Sequence, residues 1–358
     1  LVRGIIDFEP DLAIAGVILN RTANDRHRKL LRDSIEQYAG IPVLGALPKI
    51  KKNPLPERHM GLISDQEHAT SEKALETVTE IIQEHVDVSR VWNIASKASP
   101  FEKSSLCQGE AEKIDAEPGI EHPCDIWAAC GPFPPKNQSP VRIGYVHDAS
   151  LWFYYEENLE ALRRAGAELI PLSLLKRETW PALDALYLGG GFPEMLAEQL
   201  AENEPIRNHI RTEARKGMPI YAECGGLMYL GSGLVHKENF YPMAGVLPIT
   251  TQMCARPQGL GYIEAKVTVE NPYHPLGSII RGHEFHYSKC IVHHDANPVY
   301  CLESDKGYGA MVSDRDGILW GKVFAAYLHI FALGVPHWAV RFVQAADLFR
   351  RSAGRMMK

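Results

Sequence analysis

The sequence has no apolar run long enough to cross a bilayer. Stretches such as Val17 to Leu19 and Val323 to Tyr327 fall far short of the roughly 20 residues that a spanning helix needs. A basic start followed by an apolar middle, the mark of a secretory signal, is also missing, so a cytoplasmic protein with no membrane partner is expected. Positive charge is not in excess: 44 acidic side chains face 38 basic ones, for a formal charge of -6. No global field is available to attract nucleic acid, and any anionic substrate must be met locally. Cysteine is sparse and scattered. The seven residues Cys107, Cys124, Cys130, Cys224, Cys254, Cys290 and Cys301 form an odd set without a C-x-x-C pair, which argues against a disulfide framework and suits a reducing compartment. A Walker A motif is absent as well, because no glycine-rich stretch ends in Gly-Lys-Ser/Thr.

What is present is ordinary globular composition, 45% apolar and 23% charged, over 358 residues, enough for two domains that each bury a core. Residues 12–19 read as a buried strand, 26–38 as an amphipathic helix stopped by Gly40, and 41–47 as a second strand, the unit of a parallel sheet. A helix over 71–86 closes this first domain, residues 1–95. Residues 96–140, which hold Cys107, Cys124 and Cys130 and end near Pro-Phe-Pro-Pro at 132–135, read as a linker. The intervals between those cysteines match no standard zinc module. The second domain, 141–352, alternates strands at 141–146, 167–172, 184–188 and 219–222 with helices at 156–165, 193–202 and 205–216. It ends in a helix whose Trp338, Phe342, Ala345 and Phe349 share one face. The fold class is α/β in both domains. Because the chain opens on Leu1 amid elements that read as mid-domain, an N-terminal truncation is expected.

Chemistry concentrates in three places. In Pro219-Ile-Tyr-Ala-Glu-Cys224-Gly-Gly-Leu-Met-Tyr a short apolar strand runs into a cysteine, two glycines and a helix-like stretch. A nucleophile there sits on a tight turn, where the N–H of Gly225 and the helix start can stabilise a thiolate and an oxyanion. His329 ends the strand-like run Phe324-Ala-Ala-Tyr-Leu-His and is a candidate base, since active-site side chains gather at the ends of parallel strands. The loop Tyr187-Leu-Gly-Gly-Gly191-Phe-Pro-Glu194 lets a backbone approach closely, and Gly190 and Gly191 are candidates for a second oxyanion N–H.

The combination of Gly189-Gly-Gly-Phe-Pro-Glu194, Ala222-Glu-Cys-Gly-Gly-Leu-Met-Tyr229, Gly282-His-Glu-Phe-His-Tyr-Ser288 and Tyr327-Leu-His329 resembles the cobyrinic acid a,c-diamide synthase family. Upstream, Ala15-Gly-Val-Ile-Leu-Asn-Arg21, Ile41-Pro-Val-Leu-Gly-Ala-Leu-Pro48 and Leu55-Pro-Glu-Arg-His-Met-Gly-Leu62 resemble the later part of that family's ATP-binding domain, itself similar to dethiobiotin synthetase. The resemblance implies a partial P-loop-type domain, with the P-loop missing, joined to a class I glutamine amidotransferase-like domain. It implies Cys224 as nucleophile and His329 as its activating base. Many relatives with this fold carry an acidic residue two positions after the histidine, where this sequence has Phe331, so a Cys-His dyad is expected.

The same resemblance implies ATP- and Mg2+-dependent amidation of tetrapyrrole acetate groups a and c, with glutamine as nitrogen donor and cobyrinate or hydrogenobyrinate as acceptor. Ni-sirohydrochlorin and sirohaem are alternative acceptors, cobyric acid synthase is a rival enzyme, and a tetrapyrrole-binding or regulatory subunit without ATP chemistry is the rival class. His283, Glu284, His286 and Tyr287 are expected to contact substrate or shape the pocket. No metal site is expected of them, because successive strand residues face opposite ways and divide the set.

Overall fold

In the computed structural model the described residues are 1–8, 11–50, 57–58, 61–62, 71–98, 139–304, 311 and 314–356. The chain divides into two units, Leu1–Glu112 and Lys113–Lys358. Most of the expected linker, with Cys107, Cys124 and Cys130, lies outside the described residues, as does much of the motif at 55–62.

In the first unit the strand Val17–Thr22 pairs in parallel with Val43–Pro48, and the helix Asp25–Ala39 makes the crossover. The Asn24 side chain caps this helix by accepting the His27 N–H at 2.9 Å, and Gly40 closes it in the left-handed region at φ 68°. The first strand begins later than the expected residue 12. Its partner starts at Val43, and the ladder begins where the Val17 N–H donates to the Pro42 carbonyl at 2.9 Å; Pro42 has no N–H of its own to carry it further back. The helices Ser71–His85 and Val88–Ala95 follow. The second of these was not expected from the sequence. It is only 8 residues long and is started by the Asp87 carboxylate, which accepts the Arg90 N–H at 2.9 Å.

The second unit is built on a ten-stranded sheet. Five strands are parallel: Ala167–Leu172, Val141–Val146, Ala185–Leu188, Ile220–Glu223 and Val323–Ala326, in that spatial order. Beyond Val323–Ala326 the sheet turns antiparallel through Arg315–Trp320, Val299–Ser304, Gly259–Val267 and Ile279–His286, and ends on His329–Ile330. Only Tyr327 and Leu328 separate Val323–Ala326 from His329–Ile330, yet four strands lie between them in the sheet. The antiparallel wing must therefore curl back on itself, which carries Gly282 and His283 to the end of the parallel strands. The core against the parallel half is aromatic: Trp338 and Phe342 of the final helix, His337–Met356, are fully buried, with Trp338 5.4 Å from the Tyr187 ring and 5.3 Å from the Tyr221 ring.

Candidate active site

Strand Ile220–Glu223 is buried along its whole length and delivers Cys224 to the sheet's carboxyl edge. Cys224 adopts φ 46° and ψ -100°, a conformation that L-residues avoid, and the helix Gly225–Leu230 begins at the next residue. Strain of this kind costs about 1–3 kcal/mol and persists only where the surroundings hold it. Here the Cys224 N–H donates to the Ala326 carbonyl at 2.8 Å and its carbonyl accepts the Met228 N–H at 3.0 Å. The Gly225 N–H, at the first helical position, has no carbonyl four residues earlier in the helix to bond.

The glycine loop lies against this turn. Gly190–Gly191 pairs antiparallel with Leu151–Phe153, and the Gly226 N–H donates to the Gly189 carbonyl at 3.1 Å. A Cβ on Gly225 would stand 2.9 Å from both the N and the O of Gly191. Gly191, at φ 157°, would place its own Cβ 2.2 Å from the Ser150 carbonyl oxygen. Asp148 braces the opposing strand by accepting the Ser150 N–H and hydroxyl at 2.8 and 2.6 Å and the Leu174 N–H at 2.6 Å.

His329 is clamped from three sides. The Asp316 carboxylate accepts the N–H groups of Tyr327 and Leu328 at 3.1 and 3.0 Å. Asn158 donates to the Ile330 carbonyl at 3.0 Å and accepts the Ala332 N–H at 2.7 Å. Glu223, the residue before the nucleophile, accepts the Ile330 N–H at 3.4 Å through Oε1 and places Oε2 3.4 Å from His329 Nδ1. Nδ1 makes no aligned hydrogen bond among the described residues, so the carboxylate meets it as an ion pair. Burial alone lowers the basicity of His329. The neighbouring Cys224 and Glu223 outweigh it and raise the imidazole to about 10. With Nδ1 turned to Glu223, Nε2 is the ring nitrogen left for the sulfur. Phe331 stands two positions after the histidine, where many relatives carry an acid; here the carboxylate beside the imidazole is Glu223, one residue before the cysteine.

The Gly282–Ser288 motif is split by its strand. His283 pairs with His329 across the ladder and its ring stacks on the His329 ring at 4.9 Å, while Tyr155 Oη lies 3.4 Å from its Nδ1. Burial, and then the His329 charge, lower His283 to about 4. Glu284 and His286 share the other face. Both are buried, with 3.7 Å between His286 Nε2 and Glu284 Oε2, and the His286 ring stacks on Tyr327. Tyr287 follows the strand, packing edge-on against Phe285. A cavity of about 650 Å³ opens over the site, lined among others by Tyr155, Tyr262, Glu264, Arg281, His283 and His329. Cys224, 6% exposed, is not part of its wall. Of the expected site residues, the fold thus gathers Cys224, His329, Gly190, Gly191, Gly225 and His283, sets Glu284 and His286 behind the strand, and leaves Tyr287 off the cavity wall.

Residues 142–336 match the model of the CobB/CobQ-like glutamine amidotransferase domain. Three similar proteins are each named cobyrinate a,c-diamide synthase. That of Magnetococcus marinus is 38% identical over 95% of this chain and 68% of its own. That of Listeria monocytogenes serotype 4b is 39% identical over 92% and 67%, and that of Archaeoglobus fulgidus 37% over 97% and 69%. Among solved structures, a glutamine amidotransferase superposes with a TM-score of 0.41 at 20% identity, covering 57% of this chain and 98% of that one.

Proposed function

The chain belongs to the cobyrinate a,c-diamide synthase family of glutamine-dependent amidating ligases, and from that premise we propose that it hydrolyses glutamine at Cys224 and supplies the ammonia to a tetrapyrrole carboxylate. The observation that carries this reading is the strained Cys224 turn, packed against the Gly190–Gly191 loop, with the His329 imidazole beside that loop and Cys224 among the groups that raise its basicity. Cys224 Sγ, with its proton already held on His329 Nε2, attacks the side-chain amide carbon. The oxyanion that forms meets the Gly225 N–H and the backbone of the Gly190–Gly191 loop. His329 returns a proton to the departing nitrogen, ammonia leaves, and a glutamyl thioester remains. Water attacks the thioester, glutamate departs, and the sulfur regains its proton. The cavity is of the size of small-molecule sites and holds one carboxylate and one guanidinium, Glu264 and Arg281, at its rim.

The acceptor in this reading is cobyrinate at its a and c acetate groups. Residues 1–95 belong to an ATP-binding domain and 141–352 to the amidotransferase. ATP with Mg2+ would activate the acceptor carboxylate, but these 358 residues contain no P-loop to cradle its phosphates, so no step is assigned to the nucleotide. The test is glutamate release from glutamine by the protein and by Cys224→Ala, with ATP-dependent amidation of cobyrinate, Ni-sirohydrochlorin and sirohaem measured, with glutamine or ammonium as donor, on a chain that includes a P-loop. Glutamate release that survives Cys224→Ala sinks the nucleophile assignment. Amidation of another acceptor in preference to cobyrinate overturns the substrate.

A further inference from the structure

We propose that Glu223 is the positioning residue of this site: it holds the His329 imidazole through Nδ1, presents Nε2 to the Cys224 sulfur, and balances the imidazolium that forms when the sulfur gives up its proton. The inference rests on the roles proposed above for Cys224 and His329.

Two adjacent parallel strands make the arrangement. Glu223 is the last residue of Ile220–Glu223 and stands in register with Ala326, three residues before His329, so the two strand ends bring carboxylate and imidazole to the same place. Both side chains are buried, Glu223 to 2% exposure. A carboxylate so far from water is costly unless partnered, and it has two partners here: the Ile330 N–H on Oε1 and the imidazole on Oε2. The other titratable groups facing the pair are Cys224, His283 and the phenols of Tyr154, Tyr155, Tyr187 and Tyr221. None is a cation at neutral pH. His283 is held to about 4, and burial together with the Glu223 charge pushes the four phenols up. The imidazolium of His329 is therefore the charge that answers Glu223. Held this way the ring keeps one tautomer, which is what a buried acid does for a catalytic histidine in hydrolases.

The experiment measures glutamate release, and alkylation of Cys224 by iodoacetamide followed by mass spectrometry, across pH for the wild type, Glu223→Gln and Glu223→Asp. Glu223→Gln should lower kcat for glutamate release about 10²-fold, the scale of a misplaced catalytic group, with little change in KM. Its alkaline limb should move to lower pH in both assays, because the carboxylate no longer helps hold the proton on His329. Glu223→Asp keeps the charge at longer range and should fall between the two in rate and in limb position. A merely structural role would lower stability and leave the limb in place. Variants whose limbs coincide with that of the wild type overturn the proposal, and Glu223→Asp alone suffices for this if Glu223→Gln does not fold. Cys224→Ser run alongside separates the two ideas: if it still releases glutamate, the underlying reading fails, whereas Cys224-dependent release with unmoved limbs removes only the role of Glu223.

Discussion

Gly190→Ala is the smallest change that should disable the site while leaving every polar group in place. A Cβ at this position would meet His329 Cε1 at 2.5 Å, His329 Nε2 at 3.3 Å and Phe153 Cβ at 3.4 Å. Ordinary contact begins near 3.4 Å, so about 0.9 Å of overlap (3.4 minus 2.5) must be relieved. Gly190 is not in the left-handed region, which means the cost is steric and not a backbone penalty. The ring has little room to yield. His283 stacks on it at 4.9 Å, Phe153 stands edge-on at 5.2 Å, and Asn158 and Asp316 pin the backbone on either side. The overpacking should cost about 1–3 kcal/mol of stability. A displacement of the imidazole approaching 1 Å should cost roughly 10²-fold in kcat for glutamate release. Steady-state glutaminase assays and urea melts read the two effects separately. Gly217→Ala is the control: its Cβ meets nothing within 4 Å but sits at φ 90°, so it should lose about 1 kcal/mol through backbone strain alone and keep its activity. If Gly190→Ala retains kcat within twofold, the steric account of the glycine loop is wrong.

Three further outcomes follow from the same geometry. Cys224→Gly should abolish glutamate release yet unfold at higher urea than Cys224→Ala, by about 1 kcal/mol, because glycine relieves the strain at φ 46° that alanine keeps; equal midpoints would show that the turn stores none. Asn158→Ala strands the Ile330 carbonyl and the Ala332 N–H, which should cost about 2–4 kcal/mol in urea melts and lower kcat as well; a loss below 1 kcal/mol would show that these groups find other partners. Folding stability should fall on both sides of neutrality. His283 and His337, held to about 4 by burial, take up protons more readily when unfolded, so stability drops as pH falls from 6.5 toward 4. His329, raised to about 10, contributes stability that is complete below 6.5 and lost as pH rises through 10. Chemical denaturation from pH 4 to 10 checks both slopes, and a flat profile would contradict the buried histidines.

The parts of this architecture that were legible in the sequence are those written in consecutive residues. The strand, cysteine, two glycines and helix of 220–230 form one local unit, and the alternation from 141 to 223 follows from runs of apolar residues broken by Gly166 and Gly217. The final helix announced its buried face, since Trp338 and Phe342 are both fully covered. The antiparallel wing was seen only as a series of Val, Ile and Tyr-rich segments. Its order depends on pairings such as Lys266 with Ile279 and Val299 with Leu319, which no short window contains.

The carboxylate beside His329 was missed for the same reason, although a trace of it was visible. Ile220-Tyr-Ala-Glu is a fully buried strand, and a glutamate at the end of such a strand has to find a partner or be neutral. That partner is fixed by register: Glu223 opposite Ala326 on one side, and His283 opposite His329 on the other. The first pairing joins neighbouring parallel strands, and only the second depends on the wing, which curls through four strands to return beside the strand from which the chain had just left. The acid–base pair is thus made by two neighbouring parallel strands, and the closure adds the His283 ring against His329. A buried charge one residue before a candidate nucleophile is the local sign of a partner at the neighbouring strand's end, so the acid can lie on the strand that precedes the cysteine as well as after the histidine.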